Sequence, residues 1–234
     1  MARNFYASAQ DTTTTMAEWP MRIWAMNEFP EDYKPYAEDW MTEDFSAYHF
    51  VFAPKRKSID DSYEYVFGYG KDSILHLKKT NTGMQVTNIL RSDIVSLKTK
   101  KELLNAEIKV RYTEDDTSKT LVFPYVPSTY YLYDPFLNWM IGIDREFDPA
   151  VLEAEYPRPE KLYNESIAVY NYSLHAYRLG NGFKDYKYTA EKFRPFWTPW
   201  KVIPKEWFEV SMERGTFRLY SFRYLTECTY ILKK

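Results

Sequence analysis

Residues 106–112 read Ala-Glu-Ile-Lys-Val-Arg-Tyr, and their alternation decides the fold class. Glu107, Lys109 and Arg111 interleave with Ile108, Val110 and Tyr112, the period-two signature of a strand with one wet and one dry face. Working outward, the same chemistry recurs in short runs bounded by polar turns. Tyr48 to Phe52, Tyr63 to Tyr69, Ser73 to Lys78, Met84 to Leu90, Ile94 to Lys98 and Lys119 to Phe123 are rich in aromatic and β-branched residues. Thr80-Asn81-Thr82-Gly83 and Glu114-Asp115-Asp116-Thr117 supply hairpin turns. Seven strands at this spacing predict an antiparallel barrel or sandwich. A helix follows, with Asp134 as cap, Pro135 at its first position, and Phe136, Leu137, Met140 and Ile141 as an apolar stripe.

The order of these pieces resembles bacterial PH-like (pleckstrin-homology-like) domains over residues 47–143. The stretches that carry the resemblance are Phe67-Gly68-Tyr69-Gly70, Arg91-Ser92-Asp93-Ile94-Val95-Ser96-Leu97, Glu102-Leu103-Leu104-Asn105 and Tyr133-Asp134-Pro135-Phe136. It implies a bent seven-stranded barrel capped by a helix. It also implies a platform for lipid headgroups, peptides or protein partners, with no catalytic motif to carry over.

Two regions flank this unit. Residues 1–46 form an aromatic, acidic arm with 3 basic and 9 acidic residues, in which short helices are expected, one of them from Pro20 through Met21, Ile23 and Trp24. So many rings (Trp19, Trp24, Phe29, Tyr33, Tyr36, Trp40) predict docking of the arm on the rest of the chain. Residues 144–234 open on a proline-punctuated linker. One helix is then expected along Tyr163, Ile167, Tyr170, Leu174 and Tyr177, ending at Gly180 or Gly182. Strands follow over 206–212, 216–222 and 225–232, either extending the first β unit or belonging to a second. The fold class expected is therefore α+β, mainly β.

The 234 residues carry 44 aromatic side chains, so rings supply much of the core, and the net charge of −2 gives no general pull toward nucleic acid. The start of the chain lacks an apolar run of secretory type and no window is apolar enough for a spanning helix, which points to the cytoplasm. A single cysteine, Cys228, and the scattered His49, His76 and His175 offer no metal-ligand spacing. Gly68-x-Gly70 lacks the third glycine of a dinucleotide loop, and neither a nucleophile elbow nor a phosphate-binding lysine loop is present. The acidic pairs Asp60-Asp61 and Asp115-Asp116 read as solvated turns rather than a hydrolytic dyad.

No catalytic residue and no cofactor are expected. The first reading is a non-enzymatic binding or scaffold protein whose open sheet edge or ring-rich appendages engage a protein partner or a second copy. The second uses Lys55, Arg56 and Lys57, after the first strand, as donors to an anionic lipid headgroup on a peripheral membrane. A third takes Trp197, Trp200 and Trp207 as an aromatic surface for a glycan.

Overall fold

Twelve strands are distributed between two antiparallel sheets in the computed structural model, which describes residues 18–56, 63–144, 147–183, 185–196 and 202–233. The chain is α+β and mainly β, with few helices. It divides into two compact units: one takes the chain up to Ser92 together with Ser128–Phe136, the other takes Asp93–Pro127 and Leu137 onward.

The first sheet runs in sequence order: β1 (Met21–Ile23), β2 (Tyr48–Ala53), β3 (Tyr65–Gly70), β4 (Ser73–Thr80) and β5 (Gly83–Leu90). Alternation along β2 and β3 gives it two apolar faces. The arm covers one of them: Ile23, Phe29, Tyr33 and Ala37, the last on helix α1 (Lys34–Trp40), pack on Tyr48, Phe50, Val66, Leu75 and Leu77. Phe50 is the hub, with ring centroids of Phe29, Phe45 and Trp40 at 4.9, 5.6 and 5.8 Å. Its ring lies over Gly68, where an added Cβ would stand 2.2 Å from Phe50 Cε1, so the glycine is required by close approach. On the other face Phe136 packs against Phe67 and Tyr69 at 4.6 and 5.1 Å, and the Tyr65 and Tyr133 hydroxyls share a 2.9 Å hydrogen bond.

The arm departs from expectation at its start. Met21 to Ile23 is not helical: it pairs with Phe52 to Phe50 as an edge strand, an arrangement that buries Ile23 and leaves Pro20 outside the ladder, where its missing donor is harmless.

Helix α2 (Tyr130–Ile141) begins a turn before the predicted cap and holds Pro135 in its interior. Burial of Tyr133 and Phe136 outweighs the hydrogen bond that proline cannot give.

The second sheet has the order β8-β7-β6-β12-β11-β10-β9. Its strands are β6 (Ile94–Glu102), β7 (Asn105–Glu114), β8 (Thr117–Tyr125), β9 (Tyr186–Phe193), β10 (Ile203–Met212), β11 (Gly215–Phe222) and β12 (Leu225–Leu232). The C-terminal strands therefore continue the β6–β8 meander, with Thr229 opposite Lys98 and Glu227 opposite Lys100.

The expected seven-stranded barrel is not present. Its strands divide four and three between two sheets, and neither sheet closes, because β12 rather than a strand of the first sheet takes the open side of β6. Strand β9 was not expected: Lys187, Glu191 and Lys192 interrupt the apolar alternation that marks a half-buried strand.

The dry face of this sheet carries Leu97, Ile108, Val110, Phe208, Phe217 and Tyr230. The helix expected over 163–177 is broken into α4 (Glu160–Glu165), α5 (Ile167–Ser173) and a 3-10 stretch Leu174–Leu179, after α3 (Pro149–Glu155). Ser166 is extended at φ −160°, and its Oγ accepts the Val169 N–H, so the residue that ends one helix caps the next. Gly180, at φ +103°, ends the run as its conformational freedom allows. Arg178 is buried there, donating to Asn138 Oδ1 at 2.7 Å and to the Tyr230 hydroxyl at 3.3 Å.

At Gly215 an added Cβ would lie 2.1 Å from the Ile231 carbonyl oxygen. Gly215→Ala should therefore destabilise the chain by about 2–3 kcal/mol, read from the urea midpoint at unchanged slope. A midpoint equal to wild type would contradict this packing.

Candidate interaction surfaces

Each sheet ends in two edge strands, whose outward N–H and C=O groups invite pairing unless charges, prolines, bulges or short length prevent it. Three of the four edges carry such protection. β1 is three residues long, β8 contains Lys119 and Pro124, and β9 contains Lys187, Glu191 and Lys192.

β5 is different. Its eight residues, Gly-Met-Gln-Val-Thr-Asn-Ile-Leu, include no charge and no proline, and its register with β4 is continuous from Thr80↔Gly83 to Ser73↔Leu90. The strand is anchored from within: Ile89 is buried opposite Ile74, and Trp40 Nε1 donates to Asn88 Oδ1 at 3.3 Å. Val86 and Leu90 stand half exposed on the face shared with Asn88. An uncharged, extended edge flanked by apolar side chains is suited to receiving another strand, with backbone hydrogen bonds giving affinity and the side chains register.

The residues singled out from the sequence fall elsewhere. Lys55 and Arg56 follow β2; Lys55 is exposed, whereas Arg56 is half-buried, and burial lowers its pKa against the opposing charge of Glu18. Lys57 lies outside the described residues, as do Trp197 and Trp200. Trp207 sits on the wet face of β10, its ring 5.5 Å from Tyr220, beside a shallow hollow of about 360 Å³ flanked by Lys187, Glu209 and Arg218. Arg218 is paired with Glu209 at 2.5 Å.

The histidines are far apart in role. His49 stacks on Tyr69 and receives Arg22 at 2.8 Å, His175 contacts Arg178 at 2.6 Å, and His76 is buried in the first unit. Burial, aided by Lys78, pushes the His76 pKa down to about 3. Cys228 is buried and its thiol is pushed up to about 12, which keeps it protonated and unreactive at neutral pH.

A cleft of about 850 Å³ lies in the second unit, lined by Gly142, Phe147, Leu152, Tyr177, Gly180 and Arg214 among others. Arg214 is committed to backbone carbonyls there, donating to the oxygens of Arg178 at 2.6 Å and Gly142 at 3.4 Å. Among the described residues no group of three or more His, Cys, Asp or Glu side chains is arranged to hold a metal ion, and no helix is long and apolar enough to cross a membrane.

The edge of β5 was only partly accessible to sequence reasoning. Its run of uncharged residues is visible in the sequence, but its place at the end of a sheet depends on which strands pair. Comparison of the chain with protein-family models, curated proteins and solved structures finds no match.

Proposed function

We propose that this chain is a non-enzymatic, PH-like binding protein that works by strand addition at β5, pairing first with β5 of a second copy and, in the same manner, with an extended segment of a protein partner. The observation that carries this reading is the contrast among edges: β5 alone of the four described has neither charge, proline, bulge nor short length to block pairing. An isologous antiparallel pair also brings no like charges together, because the strand has none. The PH-like assignment draws support from element order, a four-stranded meander, then a three-stranded meander, then a helix. Headgroup binding through Lys55, Arg56 and Lys57 draws less, since Arg56 is half-buried near an acidic charge. The aromatic surface draws less too, since the Trp207 ring lies against Tyr220.

Sedimentation velocity over a concentration series tests the proposal. Wild type should form a dimer whose population rises with concentration. Val86→Lys, at a half-exposed position that leaves the core untouched, should weaken dimerisation by about tenfold or more by placing like charges across the pair. A wild-type chain monomeric at every concentration, or a Val86→Lys dimer as tight as wild type, would overturn self-pairing at β5.

A further inference from the structure

The meander β2–β5 has two outer strands, and the arm covers one of them. β5 is bare, whereas β1 pairs with β2 over three of its six residues, Phe50 to Phe52. The strand beneath, Tyr-His-Phe-Val-Phe-Ala, contains no Lys, Arg, Asp or Glu and no proline. Its register with β3 runs unbroken from Tyr48↔Gly70 to Ala53↔Tyr65. An edge with the same fitness for pairing as β5 therefore lies under a short strand of the arm.

β1 is lightly attached. Ile23 is its buried side chain, while Met21 is half exposed and Trp24, just beyond the strand, is 66% exposed. The chain turns away at Trp24, whose N–H donates to Glu28 Oε2 at 2.7 Å. From Phe29 onward the arm has its own anchorage, with Phe29, Tyr33 and Ala37 buried against the sheet. Lifting β1 therefore leaves α1 in place.

One of its attachments depends on a proton. Arg22 Nη2 donates to His49 Nδ1 at 2.8 Å, which requires that ring nitrogen to be unprotonated, since a guanidinium has no acceptor. The guanidinium lies over the Trp24 ring, 4.0 Å from its centroid, and the imidazole stacks on Tyr69 at 5.1 Å. From β1, then, His49 faces the Arg22 cation, and from β3 it faces Tyr69. Burial and the Arg22 charge both lower the His49 pKa from its ordinary 6.5. Tyr69 stays protonated throughout, because burial pushes its hydroxyl up to about 12. A proton on Nδ1 turns the acceptor into a donor facing a donor and sets two cations side by side, so acid acts on β1 through this contact.

We infer that β1 is a releasable strap over a second pairing edge: protonation of His49 loosens β1, and the uncovered β2 pairs antiparallel with β2 of another copy. The inference rests on the strand-addition reading for the kind of partner. A second copy fits this edge, because a pair centred on Val51 sets each His49 ring opposite the small Ala53 and roughly 13 Å along the strand from its counterpart. Protonated rings at that separation do not oppose the pairing that their protonation permits. With both β2 and β5 open, one meander carries two isologous edges, and copies add end to end without closure. With β1 in place, assembly stops at the dimer.

Sedimentation velocity at about pH 7.5 and about pH 5 tests it. Wild type should reach no more than the dimer at the higher pH and should form larger species at the lower. The open fraction of β1 should rise about tenfold or more on losing one charged hydrogen bond. His49→Gln, which takes up no proton there, should stop at the dimer at both pH values. It retains His76 and every carboxylate, so general acid destabilisation is common to both proteins. Val86→Lys, at a concentration where it is monomeric at the higher pH, should pass to a dimer in acid, since β2 alone is then free to pair. A wild type monomeric at the higher pH would count against β5 alone, and the strap would then show as an acid-induced dimer. Wild-type assembly unaltered by acid, or acid assembly by His49→Gln equal to that of wild type, would overturn the inference.

Discussion

Phe50→Ala should lower the stability of the first unit by about 3–5 kcal/mol, the cost of deleting a fully buried ring that three other rings use as their contact. The effect should exceed that of truncating any single residue of the arm, because Phe50 joins β2 to Phe29, Phe45 and Trp40 together. Gly68→Ala should act through the same ring, since its new Cβ falls within van der Waals distance of Phe50 and nothing else so near. Alone it should cost about 1–3 kcal/mol. In the Phe50→Ala background most of that cost should vanish, because the clashing atoms are gone and the methyl group enters the space they leave. A double-mutant cycle by urea denaturation reads the coupling directly. Strictly additive effects would mean that the ring does not lie over the glycine.

The second large effect depends on pH. His76 is buried, and its folded pKa of about 3 lies well below the ordinary 6.5. The folded chain therefore keeps the imidazole neutral while the unfolded chain takes up a proton near pH 6.5. Between pH 6.5 and about 3 the unfolded state binds the additional proton, so stability falls as the pH falls through that window. The loss should reach about 2 kcal/mol by pH 5 and roughly 4–5 kcal/mol once the pH is below 3. His76→Phe keeps a ring of similar breadth beside Tyr65 and Tyr63, whose centroids lie 5.4 and 6.2 Å away, and removes the titrating group. Carboxylates add their own pH dependence to both proteins, so the difference in unfolding free energy between wild type and His76→Phe isolates the histidine. That difference should be flat above pH 7 and should open steadily below 6.5. A constant difference from pH 7 to pH 4 would show that His76 titrates normally and is not sealed from water.

These effects arise from contacts that sequence periodicity reveals unevenly. Strands β2 to β8 and β10 to β12 are legible because each alternates or concentrates β-branched and aromatic residues between turn residues, a signal contained within a few positions. Asp115 and Asp116, both at positive φ, fit the turn chemistry expected of them. Met21 to Ile23 and Tyr186 to Phe193 are not legible, being edge strands whose structure is imposed by a neighbour rather than by their own pattern. Ser166 hides for the opposite reason: the apolar stripe continues through it at helical spacing, and only the extended backbone of one residue reveals three short elements in place of one helix.

Pairing is the deeper gap. β6 and β12 are far apart in the chain, and nothing local states that Thr229 faces Lys98, so the partition into two sheets in place of one barrel is outside the reach of spacing. The candidate surfaces inherit that gap. The uncharged run of β5 can be read in the sequence as ordinary strand residues. Only sheet order makes it an unguarded edge.

The central claim, strand addition at β5, is tested most directly by amide hydrogen exchange compared at low and high protein concentration. The edge amides of residues 83–90 should exchange rapidly in dilute solution and gain protection as concentration rises, while amides of β8 and β9 stay unchanged. Exchange in β5 that is independent of concentration, or protection that appears at β8 or β9 instead, would contradict the account.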